Sequence, residues 1–378
     1  MKKINYFLVL FIFLPVFSNH SFLYATKLPL NLTFAGDIMA HEQNFLMNDY
    51  DIIYEDVLPF LQNDDLTFAN FEVTVCDDLP YANYPRFNVH RPYANAAIKA
   101  GFDVFSIINN HTNDNGKKGI ESTFQFFTKQ RSQEIYSAGI KVKPSDEISY
   151  DLIEINDWRI LFCSISEIFN EYINLERLDY FPSTKKGHDK LKKAIKNVTD
   201  AHKYDLFILG IHTNEPEYVL EVSQNRKNWY YELLDCGVNI IWANHQHVSQ
   251  EWEIVKSVNQ DGIENEKLIM YCIGNFVSGQ RRSPQYNNPN RINDYTGDSY
   301  LLQITINDKK EFSRVVPVYI TTHIDIDEKT NERNFLVKHL SESFIKKIEK
   351  QNKVQGNYYK KRLELMQQIK GKTVWRIK

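Results

Sequence analysis

Three histidines close apolar runs in the second half of this chain. "DLFILGIH" ends at His212, and "VNIIWANHQH" ends at His245 and His247. Residues i and i+2 of an extended segment share a face. His245 and His247 can therefore offer both imidazoles to one ligand, although two ordinary strand-end histidines would share that geometry. Oxygen donors close the runs of the first half. Asp37 ends "LNLTFAGD", Glu72 ends "LTFANFE", and "DVFSIINNH" ends in Asn110 and His111 with Asp114 close behind. A carboxylate ending an apolar strand is costly to bury without a partner, which argues against Glu72 as a passive residue. A turn could use Asn109, Asn110, Asp114 and Gly116 for their tolerance of positive φ, but it would have no need of His111.

Asp37, Glu72, Asn110, His212, His245 and His247 together make a mixed oxygen and nitrogen donor set. Imidazoles suit borderline transition metals, and carboxylates suit harder ones. The set is larger than one open catalytic ion needs. It suits two divalent ions (manganese, iron or zinc) sharing a carboxylate, for which Glu72 is the natural bridge. His111 then falls beside a ligand, with Asp114 placed to orient it, which is the arrangement of a general acid.

Such donors meet only if the chain brings its strand ends to one place. Amphipathic helical patterns at 92–100, 119–130, 188–202 and 223–236 alternate with the apolar runs. Pro92 opens the first of these, Gly101 follows it, and Gly237 follows the last. Strand–helix alternation predicts an α/β fold, in which ligands bind beyond the carboxyl ends of the strands. "DLIEI" and "RILFCSI" predict a hairpin around Asn156-Asp157. Beyond Arg281 come a polar loop and a strand pair, "SYLLQITI" with "FSRVVPVYI". A Lys-rich helical pattern starts at Phe335, with a break expected at Gly356.

The 378 residues carry a net charge of −3, so no global basic field argues for a nucleic-acid partner. Lys2 and Lys3 precede "YFLVLFIFLPVF", a run with the length of a signal-peptide core and short for a membrane span. The expectation is an exported protein, periplasmic or extracellular, with an uncleaved outward-facing anchor as the alternative. Membrane association is expected only through that segment. The four cysteines (Cys76, Cys163, Cys236 and Cys272) show no CxxC spacing; export would permit disulfides but the spacing demands none, and buried thiols are the plain expectation for Cys163, Cys236 and Cys272.

The ordered series Gly36-Asp37, "ANFE" (69–72), "NNHTNDNG" (109–116), "HTNEPEY" (212–218), "NHQHV" (244–248) and "YCIGNFV" (271–277) resembles the CapA-type capsule or poly-γ-glutamate synthesis proteins of the calcineurin-like metallophosphoesterase superfamily. The resemblance runs from about Leu30 to Gly279 and implies a four-layer α/β/β/α sandwich with a dinuclear metal site. By its pattern Asp37 and His247 would hold one ion, Asn110, His212 and His245 the other, with Glu72 bridging and His111 donating a proton. Glu217 and Tyr218 match the family's Glu-Tyr pair, and Asn275 its "GNF". Position 39 is Met39, so the histidine of the usual D-x-H is missing, and His41 is the candidate replacement. "HTNEPEY" and "ANHQH" depart from the family's "HWGxEY" and "GHHPH", which alters the walls around His212 and His245.

The expected organisation is a signal or anchor at 1–25, a metallophosphoesterase-like domain at 28–325 and a basic helical extension at 326–378. The resemblance implies a metal-dependent hydrolase or transferase of the bacterial envelope, acting on a phosphoester or an anionic polymer alongside envelope biosynthesis proteins. Two alternatives stay open: a binding or export factor that holds the polymer without cleaving it, and a nucleotidase-like phosphoesterase.

Overall fold

The computed structural model describes residues 27–258, 264–326 and 332–376. The N-terminal signal or anchor expected at 1–25 lies outside the described residues. Among the described residues no helix is long and apolar enough to cross a membrane.

The first part of the chain lays down β1 (Leu30–Ile38), the single-turn helices α1 (Glu42–Phe45) and α2 (Leu58–Leu61), and β2 (Leu66–Phe71). A short pair follows, β3 (Thr74–Val75) and β4 (Asn88–Val89), then α3 (Arg91–Ala100), β5 (Val104–Ser106), α4 (Gly116–Gln130) and β6 (Tyr136–Ala138). Next come β7 (Tyr150–Ile155), β8 (Trp158–Ser166), α5 (Lys185–Ala201), β9 (Leu206–His212), α6 (Gln224–Asp235) and β10 (Ile240–Asn244). The last part holds β11 (Trp252–Val258), β12 (Glu264–Met270), β13 (Asn275–Val277), β14 (Asp298–Ile306), β15 (Phe312–Ile326), β16 (Arg333–His339), α7 (Glu342–Gln351), α8 (Lys353–Met366) and β17 (Gly371–Arg376).

The strands form two large sheets. One has the order β16-β15-β14-β1-β2-β5-β6, with β13 also pairing β1, and the other has the order β17-β11-β12-β10-β9-β8-β7. β1, β2, β5 and β6 run parallel, as do β8, β9, β10 and β12, so their carboxyl ends point the same way within each sheet. Strand alternation then builds three apolar layers. Phe34, Phe68 and Ile304 of the first sheet meet Phe162, Ile208 and Trp242 of the second in a shared inner core. The opposite face of the first sheet packs against Tyr93, Ala97, Ile120 and Phe127 from α3 and α4. The outer face of the second packs against Leu191, Ile195, Tyr230 and Leu233 from α5 and α6. The result is the expected α/β/β/α sandwich.

Local chemistry sets the boundaries. Thr184 and Ser223 cap α5 and α6 by accepting from the backbone N–H of Gly187 and Arg226. Gly101, at φ 111°, ends α3 in the left-handed conformation that glycine adopts without penalty. β7 and β8 form the expected hairpin, with Asn156 and Asp157 both at positive φ. The four cysteines are free, and Cys236 alone is only partly buried.

The C-terminal segment differs from expectation. Helices make up only part of 326–378: β16 extends the first sheet, β17 extends the second, and α7 and α8 send Ile345, Ile348, Tyr358, Tyr359 and Met366 into the shared inner core. Its lysines mark the solvent side of packed elements. Gly356 does not break a helix. It lies inside α8, where an added Cβ would come within 2.5 Å of the Glu349 Cβ, so it permits close approach of the two helices.

Candidate metal centre

The donors predicted from sequence lie at the carboxyl ends of β1, β2, β5, β9 and β10, where the two sheets meet. Asp37 is fixed by a bulge in β1 and by its N–H, which donates to the Gly274 carbonyl at 3.0 Å. A Cβ on Gly36 would stand 1.6 Å from that carbonyl oxygen, so glycine is required for β1 to approach the 272–275 turn. β10 delivers Asn244, after which His245 (φ 118°) and His247 (φ 58°) both occupy positive φ. Non-glycine residues accept such angles only when the surroundings impose them, a pattern concentrated at functional sites.

Glu72 lies at the centre. Its Oε2 accepts from Asn70 Nδ2 at 3.0 Å, but its buried Oε1 has no hydrogen-bond partner. That oxygen is 3.7 Å from both His212 Nε2 and His247 Nε2. On one side Asn110 Oδ1 stands 2.9 Å from His212 Nε2. On the other, His247 Nδ1 faces Asp37 Oδ2 at 3.1 Å and Asn275 Oδ1 at 3.0 Å. Two acceptors on Nδ1 place the proton there and turn the Nε2 lone pair toward Glu72. The His212 and His245 rings lie 4.7 Å apart, and His245 Nδ1 is also buried without a partner.

Three groups of donors converge closely enough to hold a cation: Glu72, His212 and His245; Asp37, Glu72 and His247; and Glu217, His245 and His247. The first two share Glu72. Buried acceptors such as Glu72 Oε1 and His245 Nδ1, held close together without donors, are costly unless a cation lies between them. The donor set therefore fits divalent metal ions. The electrostatics agree. Burial, followed by the Asp37 charge, pushes the Glu72 carboxyl well above its usual value. Burial and neighbouring histidines hold His245 down at about 3 and His212 well below the ordinary imidazole value. Neutral imidazoles are the ligating form. In His247, burial is outweighed by the Asp37 carboxylate, and its pKa is raised.

His111 lies outside the three donor groups. Its Nδ1 is 2.7 Å from Asp114 Oδ2 and 3.2 Å from Asn170 Nδ2, and Asp114 Oδ2 also accepts from the Phe87 N–H at 2.8 Å. Burial raises the Asp114 carboxyl, while its bond to His111 opposes the rise. Phe87 packs edge-on against both His111 (4.7 Å) and His41 (5.0 Å). His111 and His247 line a cavity of about 590 Å³ with Tyr84, Tyr218, Gln280 and Arg282.

The geometry thus gathers Asp37, Glu72, Asn110, His212, His245 and His247, with Asn275 supporting His247. His41 lines the cavity, but its Nδ1 accepts from the Gly279 N–H at 3.2 Å and it joins none of the three donor groups. Glu217 comes closer to the donors than its sequence position suggests, while Tyr218 stays on the wall. Sequence reasoning missed Asn70, whose amide reaches Asp37 Oδ1 at 2.7 Å as well as Glu72. It also missed Asn170, whose Oδ1 accepts from Asn110 Nδ2 at 3.3 Å, whose N–H donates to the Asn110 carbonyl at 3.2 Å, and whose Nδ2 lies 3.2 Å from His111 Nδ1. Asn70 sits inside the "ANFE" motif, where it could have been found. Asn170 lies in an irregular loop and carries no local signal.

Fold and site together define an α/β sandwich protein with a buried carboxylate–histidine centre compatible with metal binding. The sequence matches the family model described as bacterial capsule synthesis protein PGA_cap over residues 31–280, and the chain belongs to that family. It is 29% identical over 262 residues to the capsule biosynthesis protein CapA of Bacillus anthracis, an alignment spanning 66% of this chain and 60% of that protein.

Proposed function

We propose that this protein is a metal-dependent hydrolase or transferase acting on an anionic polymer or phosphoester during capsule synthesis, outside the cytoplasm. The observation that carries the reading is the Glu72 Oε1 atom, buried, unpartnered and equidistant at 3.7 Å from two imidazole nitrogens. Asp37, Glu72 and His247 would hold one ion, and Glu72, Asn110, His212 and His245 a second. Bound divalent ions supply Lewis acidity toward an electrophilic oxygen and a water of lowered pKa.

The remaining roles belong to the chain. Asp114 fixes the His111 ring through Nδ1, so Nε2 is the end free to serve the cavity. An imidazole held this way can give a proton to a departing oxygen and recover it from water. Asn70 ties Asp37 to Glu72 and keeps the two carboxylates in register despite their repulsion. Asn170 holds Asn110 through its Oδ1 and its N–H and packs beside His111, fixing a donor next to the proton-transfer residue. Phe87 covers one face of His111 and limits its motion.

Metal analysis of the purified protein, beside an Asp37→Ala/His245→Ala double variant, tests the reading. About two ions per chain, lost in the variant, are expected for a two-ion site. Turnover would then be sought across phosphoester and γ-glutamyl substrates. A protein that takes up neither manganese, iron nor zinc would overturn the reading. One that binds metal and an anionic polymer without turnover would be the binding or export factor instead.

A further inference from the structure

Three arginines line the cavity beside the donor cluster, and Arg282 is the one that makes no ion pair among the described residues. Arg281 is buried and turned into the fold: its terminal guanidinium nitrogens donate to Asp298 Oδ1 at 2.7 Å, Thr321 Oγ1 at 2.6 Å and the carbonyls of Asp294, Gly297 and Thr322. Arg291 donates to the Ser283 carbonyl at 3.1 Å and stands 3.7 Å from Asp294 Oδ1. Arg282 is exposed, lines the same cavity and makes no ion pair among the described residues. Its backbone is anchored through its carbonyl, which accepts from Arg333. The locked Arg281 fixes where its neighbour emerges. An exposed guanidinium on an anchored backbone, at the mouth of a polar cavity, suits a carboxylate or phosphate.

The position of Arg282 adds to this. His41, His111 and His247 line the same cavity. Asn275, which supports His247, donates to Gln280 Oε1 at 2.7 Å, so the wall carrying Arg282 is tied directly to the donor cluster. A volume of about 590 Å³ exceeds what a single small anion fills. It leaves room for a substrate with one group at the donor cluster and another at the mouth.

We propose that Arg282 is a substrate-binding residue that holds a second anionic group of the substrate, away from the reacting centre. The site would thereby select an extended anionic chain over a small monoester. This inference rests on the metal-centre reading above.

The test uses the full chain loaded with manganese, and two probes. Inorganic phosphate engages the donor cluster alone, whereas an oligomer of γ-linked glutamate can reach both positions. Arg282→Ala should weaken oligoglutamate binding about tenfold, the scale of one charge-assisted hydrogen bond. It should leave phosphate binding and metal content unchanged, and Arg282→Lys should recover part of the loss. Equal oligoglutamate affinity in wild type and Arg282→Ala would overturn the proposal. So would a wild type that binds phosphate in a metal-dependent way but ignores the oligomer, an outcome that leaves the metal centre standing. A wild type that binds neither metal nor phosphate would overturn the metal-centre reading and this proposal with it.

Discussion

Replacing Glu72 by Gln should change stability in opposite directions with and without metal. In the metal-free protein Glu72 is fully buried, close to the Asp37 carboxylate, and its Oε1 has no partner. An unsatisfied buried polar atom costs about 1–3 kcal/mol, and more if charged. Glutamine keeps the acceptor that Asn70 Nδ2 uses. It removes the charge and presents an amide N–H to the His247 Nε2 lone pair, which lies 3.7 Å from the present oxygen. In EDTA the variant should therefore be more stable than wild type by about 1–3 kcal/mol. With manganese at a hundred times its dissociation constant, wild type should gain about 2.7 kcal/mol for each independent site filled. Glu72→Gln loses the donor that two of the converging groups share, so most of that gain should vanish and the order of stability should reverse. Urea unfolding of both proteins in EDTA and in manganese measures the four values. A variant destabilised in EDTA, with a manganese response equal to wild type, would refute the argument that Glu72 is held for a cation.

Other consequences can be measured separately. His111→Ala should lower turnover on any accepted substrate about a hundredfold or more while metal content stays near wild type; loss of metal with the imidazole would end the proton-donor assignment. Gly36→Ala forces a Cβ to within 1.6 Å of the Gly274 carbonyl oxygen, and backbone cannot yield as a side chain does. It should cost about 3 kcal/mol or more in urea unfolding. Asp179 is almost wholly buried, and burial raises its pKa to about 8 despite bonds from the Ser149 N–H and hydroxyl. The unfolded carboxyl titrates near 4, so the folded state binds the extra proton. Its contribution to stability is full below pH 4 and lost as pH rises toward 8, with a slope of at most about 1.4 kcal/mol per pH unit. Asp179→Asn should flatten that slope, gaining on wild type at pH 8 relative to pH 5. Parallel pH profiles for the two proteins would show that Asp179 stays ionised throughout.

The donor set was legible because burial makes polar residues conspicuous. Asp37, Glu72 and His212 each end an apolar run, and a carboxylate or imidazole there needs a reason. The α/β alternation was legible for the same cause, since α3 to α6 each carry one apolar face. What escaped was carried by contacts distant in sequence. Asn170 meets Asn110 and His111 across 60 and 59 positions of chain, and nothing in "EIFNEY" announces it. β16 and β17 were hidden because "RNFLVKH" and "GKTVWR" are short, charged and half exposed, as edge strands tend to be. The Arg281 environment was equally unreadable: its acceptors come from the 294–298 turn and from β15.

The family match ends at residue 280, yet the fold does not. Asp298, buried beyond that point, accepts from Arg281 and from Arg362 in α8, and the last strands lie on opposite sheets. Among the described residues β1 sits near the middle of its sheet and β17 at the far edge of the other, so the two sheets are completed by strands distant in sequence. A nascent chain halted at Gln280 would lack β14, the antiparallel neighbour of β1, and would leave the inner core open where Tyr358, Tyr359 and Met366 belong. The segment matched by the family model therefore does not enclose the inner core by itself: residues beyond 280 are needed to close it.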